Sequence, residues 1–237
     1  MEYIEFYSLE QQDEFVVNIF DQKQGGYYLE IGCQRPKLAS NTYTLEKTFN
    51  WKGWSFDIMD SEASHNWSAV RSNPFIQIDA SSTALCDYLK ANIPPGIIFD
   101  YVSIDIDGPG TMAALEHIVN AGIQFKAVTF EHEGQRFLDT LKGPSTEKLT
   151  ELGLVSLFNN VKCVGRPEHD LAFEDWWIHP DYFSADLITA KRSDLYHFEC
   201  INLLRVITGN TYSAQHNCCN AFPEERNSFH ERTHEHW

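Results

Sequence analysis

Nowhere in the 237 residues is there an uninterrupted apolar run long enough to cross a bilayer. The start, MEYIEFYSLEQQDEF, also lacks a basic stretch followed by an apolar one, so the expectation is a soluble, unexported, cytoplasmic chain. Paired-cysteine motifs are missing as well. The six cysteines (33, 86, 163, 200, 218 and 219) form no C-x-x-C, and the adjacent pair would bridge only with strain, so they read as mostly reduced thiols. Positive charge is scarce: 18 Lys+Arg stand against 34 Asp+Glu, a formal charge of -16. A protein that neutralises phosphates normally carries a basic face, so nucleic acid and anionic membranes are poor default partners.

What is present is apolar enough to exclude disorder, since 43% of the chain is hydrophobic and the length suits one domain with a small appendage. Strand-like segments alternate with segments of helical period, which predicts an α/β domain with a mostly parallel sheet and helices on both faces. Predicted strands are Tyr27 to Gly32, Gly53 to Ile58, Phe75 to Asp79, Ile98 to Ile106 (the most apolar and so central), and Lys126 to Glu131. Predicted helices run from Asn41 to about Phe49, through Leu85 and Leu89, and from about Thr111 to Ala121. After a helix from Thr146 to Leu152, the segments Leu154–Phe158 and Val161–Val164 or Phe173–Ile178 predict an antiparallel end to the sheet. The α/β domain is expected over 1–183. Beyond it, 184–237 reads as an extension with one helix, Leu195 to Ile207, and a polar, His-rich tail.

Ligands of an open parallel sheet bind beyond the carboxyl ends of its strands. Those ends carry Glu30-Ile31-Gly32, Asp57, Asp79, Asp105/Asp107 and Glu131-His132, so nearly every one holds an acid. A glycine after the first strand and an acid after the second have the logic of a nucleoside site, because the glycine admits close backbone approach and the acid accepts from ribose hydroxyls. The turn after Gly32 reads Cys33-Gln34-Arg35-Pro36-Lys37, without the further glycines of a pyrophosphate loop, which disfavours a nicotinamide dinucleotide. Adenosine without phosphate fits better and points to S-adenosylmethionine (SAM).

These residues resemble the FkbM-type class I SAM-dependent methyltransferases over about Tyr7 to Phe183. The similarity lies in Gln12-Asp13-Glu14-Phe15-Val16, Tyr28-Leu29-Glu30-Ile31-Gly32, Ser40-Asn41-Thr42-Tyr43 with Leu45-Glu46-Lys47, and Trp51-Lys52-Gly53 leading to Asp57. It continues in Asp100 to Gly108, Thr129-Phe130-Glu131-His132 and Phe173 to Pro180. The resemblance implies a Rossmann-like, seven-stranded sheet with the last strand antiparallel, SAM as methyl donor, and a hydroxyl acceptor on a carbohydrate or small metabolite. It places Glu30 and Gly32 beside the methionine moiety, Asp57 at the ribose, Asp79-Ala80 at adenine and Asp105 under the methionine and acceptor end, with Ile58 among the cofactor-binding residues. Gln12, Asn41 and Thr42 match positions of the same cleft. Two departures stand out: Gln34-Arg35-Pro36 replaces a short Asn-Asp-Gly-like turn, and Asp57 stands where Glu is commoner. The proline turn keeps open the alternative of a non-catalytic binding or scaffold module with weakened SAM affinity.

For the chemistry, His132 is the expected general base, with Asp107 second and Asp105 beside them. Asp105, Asp107, Glu131 and His132 also form a conceivable partial shell for a divalent cation such as magnesium. The partners expected are a small-molecule or glycan acceptor and, left open, a second copy in a homo-oligomer. Trp176-Trp177 reads as core strand rather than sugar platform, and His230, His234 and His236 with Cys218-Cys219 as an exposed tail rather than a metal site.

Overall fold

A computed structural model describes residues 3–58, 66–106, 108–163 and 172–217. The polar tail that carries His230, His234 and His236 lies outside them, as does Asp107. In chain order the strands are β1 (Tyr3–Phe6), β2 (Tyr27–Ile31), β3 (Lys52–Asp57), β4 (Phe75–Gln77), β5 (Ile98–Ile104), β6 (Gln124–Glu131), β7 (Val155–Lys162), β8 (Ala172–Ile178), β9 (Arg192–Ser193) and β10 (Ser213–His216). The α-helices are α1 (Gln12–Ile19), α2 (Tyr43–Phe49), α3 (Trp67–Val70), α4 (Thr83–Asn92), α5 (Gly110–Asn120), α6 (Gly143–Glu151), α7 (Ala185–Thr189) and α8 (His197–Thr208).

The main sheet has the order β4-β3-β2-β5-β6-β8-β7-β9. β2 pairs in parallel with both β3 and β5, and β5 with β6, whereas β8 runs antiparallel to both β6 and β7. This is the expected mostly parallel, Rossmann-like sheet with an antiparallel end, its seventh strand, β8, reversed as the resemblance implies, with a two-residue β9 added at the edge. Because β2 has its chain successor on one side and β5 on the other, the strand order reverses between β2 and β5. A crevice opens at such a point.

Alternation along the strands sorts the core into two layers. Tyr28, Tyr101, Ala127, Trp176 and Ile178 face the layer of α1, α2 and α8; Leu29, Ile31, Val102, Ile104, Val128, Phe130 and Trp177 face that of α4, α5 and α6. Both tryptophans are core residues, with Trp176 packed on Phe15 at 4.7 Å between ring centroids. The C-terminal extension shares the first layer as far as it is described. Cys200, Ile201 and Leu204 of α8 pack there, and β10 pairs with β1 in a separate two-stranded sheet.

Candidate active site

At the reversal point Gly32 has φ +88°, and a Cβ on it would lie 1.7 Å from the carbonyl oxygen of Asp105. No side chain fits between the ends of β2 and β5, so glycine is required there by both conformation and space. Beside it, the backbone N–H groups of Gly32 and Cys33 both reach the Phe56 carbonyl (2.8 and 3.1 Å). Gln34 then takes φ +45°, and its N–H donates to Asp57 Oδ2 at 2.7 Å. A non-glycine residue thus makes the left-handed step, and the proline turn is formed rather than disrupted. Asp57 is half-buried at the end of β3 and is followed by Ile58, 60% exposed.

Glu30 lies one layer deeper. Its carboxylate accepts from the Ser40 hydroxyl (2.8 Å), the Asn41 N–H (2.9 Å), the Thr42 hydroxyl (2.8 Å) and the Ser55 hydroxyl (2.9 Å). With four donors satisfied and 1% exposure, it organises the 40–42 turn. Asn41 carries that order across the crevice, donating through Nδ2 to the Ser103 hydroxyl at 2.9 Å and to Asp105 Oδ2 at 3.4 Å.

Arg71, just past α3, escaped the sequence reading. Its side chain is wholly buried and spends five N–H groups on five acceptors: Nε on Glu46 Oε2 (2.5 Å), Nη1 on the Pro36 carbonyl (3.2 Å) and Ser40 Oγ (3.1 Å), and Nη2 on Tyr28 Oη (2.6 Å) and Thr42 Oγ1 (2.8 Å). Glu30 Oε2 stands 3.8 Å from Nη1. A lone arginine between Val70 and Ser72 offers no motif; its partners lie 25 to 43 residues away in sequence.

On the first-layer face of the sheet, Asp105 of the β5 end, Glu131 at the end of β6 and Glu174 of β8 come together. Glu131 and Glu174 are register partners, and Glu131 shares a hydrogen bond with Asp105. A bond between two carboxyls requires a proton on one of them. Burial, with repulsion from Asp57, raises the Asp105 pKa above the ordinary range despite the bonds from Glu131 and Asn41. Burial pushes Glu174 well up too, against hydrogen bonds from Trp176 Nε1 (2.6 Å) and Gln12 and with repulsion from Asp105 and Glu10. Gln12 therefore reaches the crevice wall through Glu174.

His132 does not join this group. One residue beyond Glu131, it takes the opposite face, where Nδ1 accepts from the Gly134 N–H (3.1 Å) and Nε2 meets Asp175 Oδ1 (3.1 Å). It is fully buried, and Lys142 Nζ closes the pair at 2.9 Å from Asp175. The expected general base thus lies on the face away from Asp105 and Glu131, engaged with Asp175, and these members of the expected cation shell are divided between the two faces of the sheet. Among the described residues no group of three or more His, Cys, Asp or Glu side chains is placed to hold a metal ion. Asp79 is likewise occupied by its own turn: its carboxylate accepts from the N–H (2.9 Å) and hydroxyl (2.6 Å) of Ser81, ahead of α4, while Ala80 is buried. Glu133 caps the Gly108 N–H, tying the loop after β5 to the loop after β6.

No family model matches the chain, and no curated protein matches it significantly. Solved structures do. One described as an rRNA-methylase from Clostridium thermocellum is 14% identical, with 73% of this chain and 96% of that one covered and a TM-score of 0.47. The Burkholderia thailandensis 1,6-didemethyltoxoflavin-N1-methyltransferase, solved with 1,6-didemethyltoxoflavin and S-adenosylhomocysteine, is 11% identical, covers 72% of this chain and 76% of its own, and scores 0.46. At these scores neither bears on what this chain does.

Proposed function

We propose that the chain is a SAM-dependent O-methyltransferase of the FkbM type, acting on a hydroxyl of a carbohydrate or small metabolite. The observation that carries the reading is the pairing, at the point where the strand order reverses, of an obligatory glycine at the end of β2 with a half-exposed carboxylate, Asp57, at the end of β3. These residues fit an adenosyl group: Asp57 offers a carboxylate to ribose hydroxyls, and the exposed Ile58 beside it offers an apolar face to a base. The turn at 33–37 has one backbone N–H aimed at Asp57 rather than at a phosphate, which suits a donor without phosphate.

When bound, SAM supplies an electrophilic methyl group on a sulfonium. The chain's own contribution is alignment and proton removal. Asp105 is held by Asn41 and Glu131 at the acceptor end, and its carboxylate, made a stronger proton acceptor than usual by burial, is suited to accept a proton from a hydroxyl. Glu174, behind them, holds a proton more tightly than an ordinary carboxyl because it is buried, which disfavours a second negative charge beside the pair. Asp107 remains a second candidate from the sequence alone. The acceptor is a small molecule or glycan, with nucleic acid and membrane disfavoured by the acid excess.

The test is incubation of the purified protein with methyl-labelled SAM and a panel of hydroxylated sugars and metabolites, read by mass spectrometry. Label in an ether product supports O-methylation. Label on nitrogen or carbon would move the activity to another acceptor class, and SAM binding without any transfer would favour the non-catalytic module.

A further inference from the structure

The loop after β2 carries a proline where a flexible glycine turn is expected, yet it is fully formed. What forms it is a side chain from another part of the chain. We infer that Arg71 is the positioning residue of the donor site, setting the shape of the 33–42 loop through Pro36, Ser40 and Thr42; this rests on the SAM reading above.

Three features carry the inference. Each of the five guanidinium N–H groups has an acceptor, and three of those acceptors, the Pro36 carbonyl, Ser40 Oγ and Thr42 Oγ1, belong to the loop. The other two, Glu46 Oε2 and Tyr28 Oη, belong to α2 and β2 and fix the guanidinium against the scaffold, with the Trp67 ring 4.8 Å from its central carbon. Ser40 and Thr42 are also the hydroxyls that hold Glu30, so the same fork orders the turn presenting Asn41 to Ser103 and Asp105. One buried cation thus links the Gln34–Asp57 end of the crevice to the Asn41–Asp105 end. The fork geometry is needed for this. A lysine at 71 has three donors on one nitrogen and cannot serve acceptors spread along both sides of a plane.

The experiment compares wild type, Arg71→Lys and Arg71→Ala by calorimetric titration with S-adenosylhomocysteine, at a temperature where each is fully folded by circular dichroism. The inference predicts wild-type binding and a loss of at least about tenfold in both variants, the scale of one lost charge-assisted hydrogen bond. It also predicts partial recovery in Arg71→Ala on adding low, non-denaturing guanidinium chloride but not sodium chloride. Unchanged affinity in the folded variants would overturn it, as would a loss in Arg71→Ala that guanidinium does not relieve. If Arg71→Ala does not fold, Arg71→Lys alone decides. Hydrogen exchange on the unliganded protein separates this from the donor reading. Selective loss of protection at Gln34 and Thr42 in Arg71→Lys, with β2 and β5 unchanged, supports the positioning role even if no ligand binds. Uniform loss, or none, counts against it.

Discussion

Gly32, Asp57 and Glu30 are each tied to one physical demand, and each demand gives a measurable consequence. At Gly32 a methyl group would meet the Asp105 carbonyl oxygen in a backbone conformation that L residues avoid. Overpacking of this kind costs about 1–3 kcal/mol and the left-handed conformation about 1–2 more. Gly32→Ala should lower the urea midpoint accordingly, and an unchanged midpoint would show that the two strand ends are looser than described. Glu30→Gln replaces a carboxylate with four donors around it by an amide that accepts on one side only. The expected loss is about 1.5–3 kcal/mol, the range for hydrogen bonds to a charged group, read by equilibrium unfolding. Gly32 and Asp57 were legible because strand ends can be located from composition and their positions then follow. Arg71 was not, because its contacts are all distant in sequence. The face that His132 takes follows from alternation alone: Glu131 and His132 are consecutive at a strand end and point to opposite sides.

Among the elements, those with a simple apolar rhythm were legible and those without it were not. β2, β5 and β6 are rich in buried apolar residues, β3 alternates, and α4 and α5 bury one face only. α1 hides its nature by burying Gln12, Asp13, Glu14 and Asn18 along with its apolar residues, so no amphipathic stripe appears. In the sequence β7 looks like separate pieces because Asn159-Asn160 interrupts it; Asn160 has φ +60° and the register to β8 shifts there. β1 and β10 have four residues each and are specified only by pairing with one another. Their union is fastened at Glu14, which accepts from Tyr212 Oη (2.9 Å), from Arg205 and from His216 Nε2 (2.5 Å). Burial alone would raise the Glu14 pKa, but His216, Arg205 and Tyr212 outweigh it and hold the group below its ordinary value. The stabilisation is therefore present above the unfolded-state pKa and is lost as pH falls through the folded value. Glu14→Gln should raise amide exchange in β1, β10 and α8 at neutral pH while leaving β5 and β6 protected. Equal acceleration everywhere would mean that the extension does not open separately.

For the whole molecule, seven of the carboxyls in the described residues fall into two opposed sets. Glu14, Glu46, Asp100 and Asp175 are held below their ordinary pKa: burial raises each, but His216 and Arg205 act on Glu14, Arg71 on Glu46, Lys126 and Lys23 on Asp100, and His132 and Lys142 on Asp175. Their contributions disappear as pH falls below the ordinary carboxylate range of about 4. Asp13, Asp105 and Glu174 are raised, chiefly by burial. They bind protons more tightly folded than unfolded, so their contribution is complete below about 4 and is lost as pH rises through their folded values. The net charge of -16 adds self-repulsion in the same direction. The urea midpoint should thus be higher near pH 5 than near pH 8, and a midpoint that climbs over that interval would contradict this balance. The acids also matter by position: those at the ends of β3, β5 and β6 lie at the crevice where the strand order reverses, and the central claim is that this crevice takes an adenosyl sulfonium donor. Calorimetric titration of the intact protein with S-adenosylhomocysteine, alongside Asp57→Ala, tests that claim most directly. The account predicts saturable one-to-one binding by the wild type and its sharp weakening in a variant that remains folded; no heat from the wild type at millimolar ligand, or equal binding by Asp57→Ala, would contradict it.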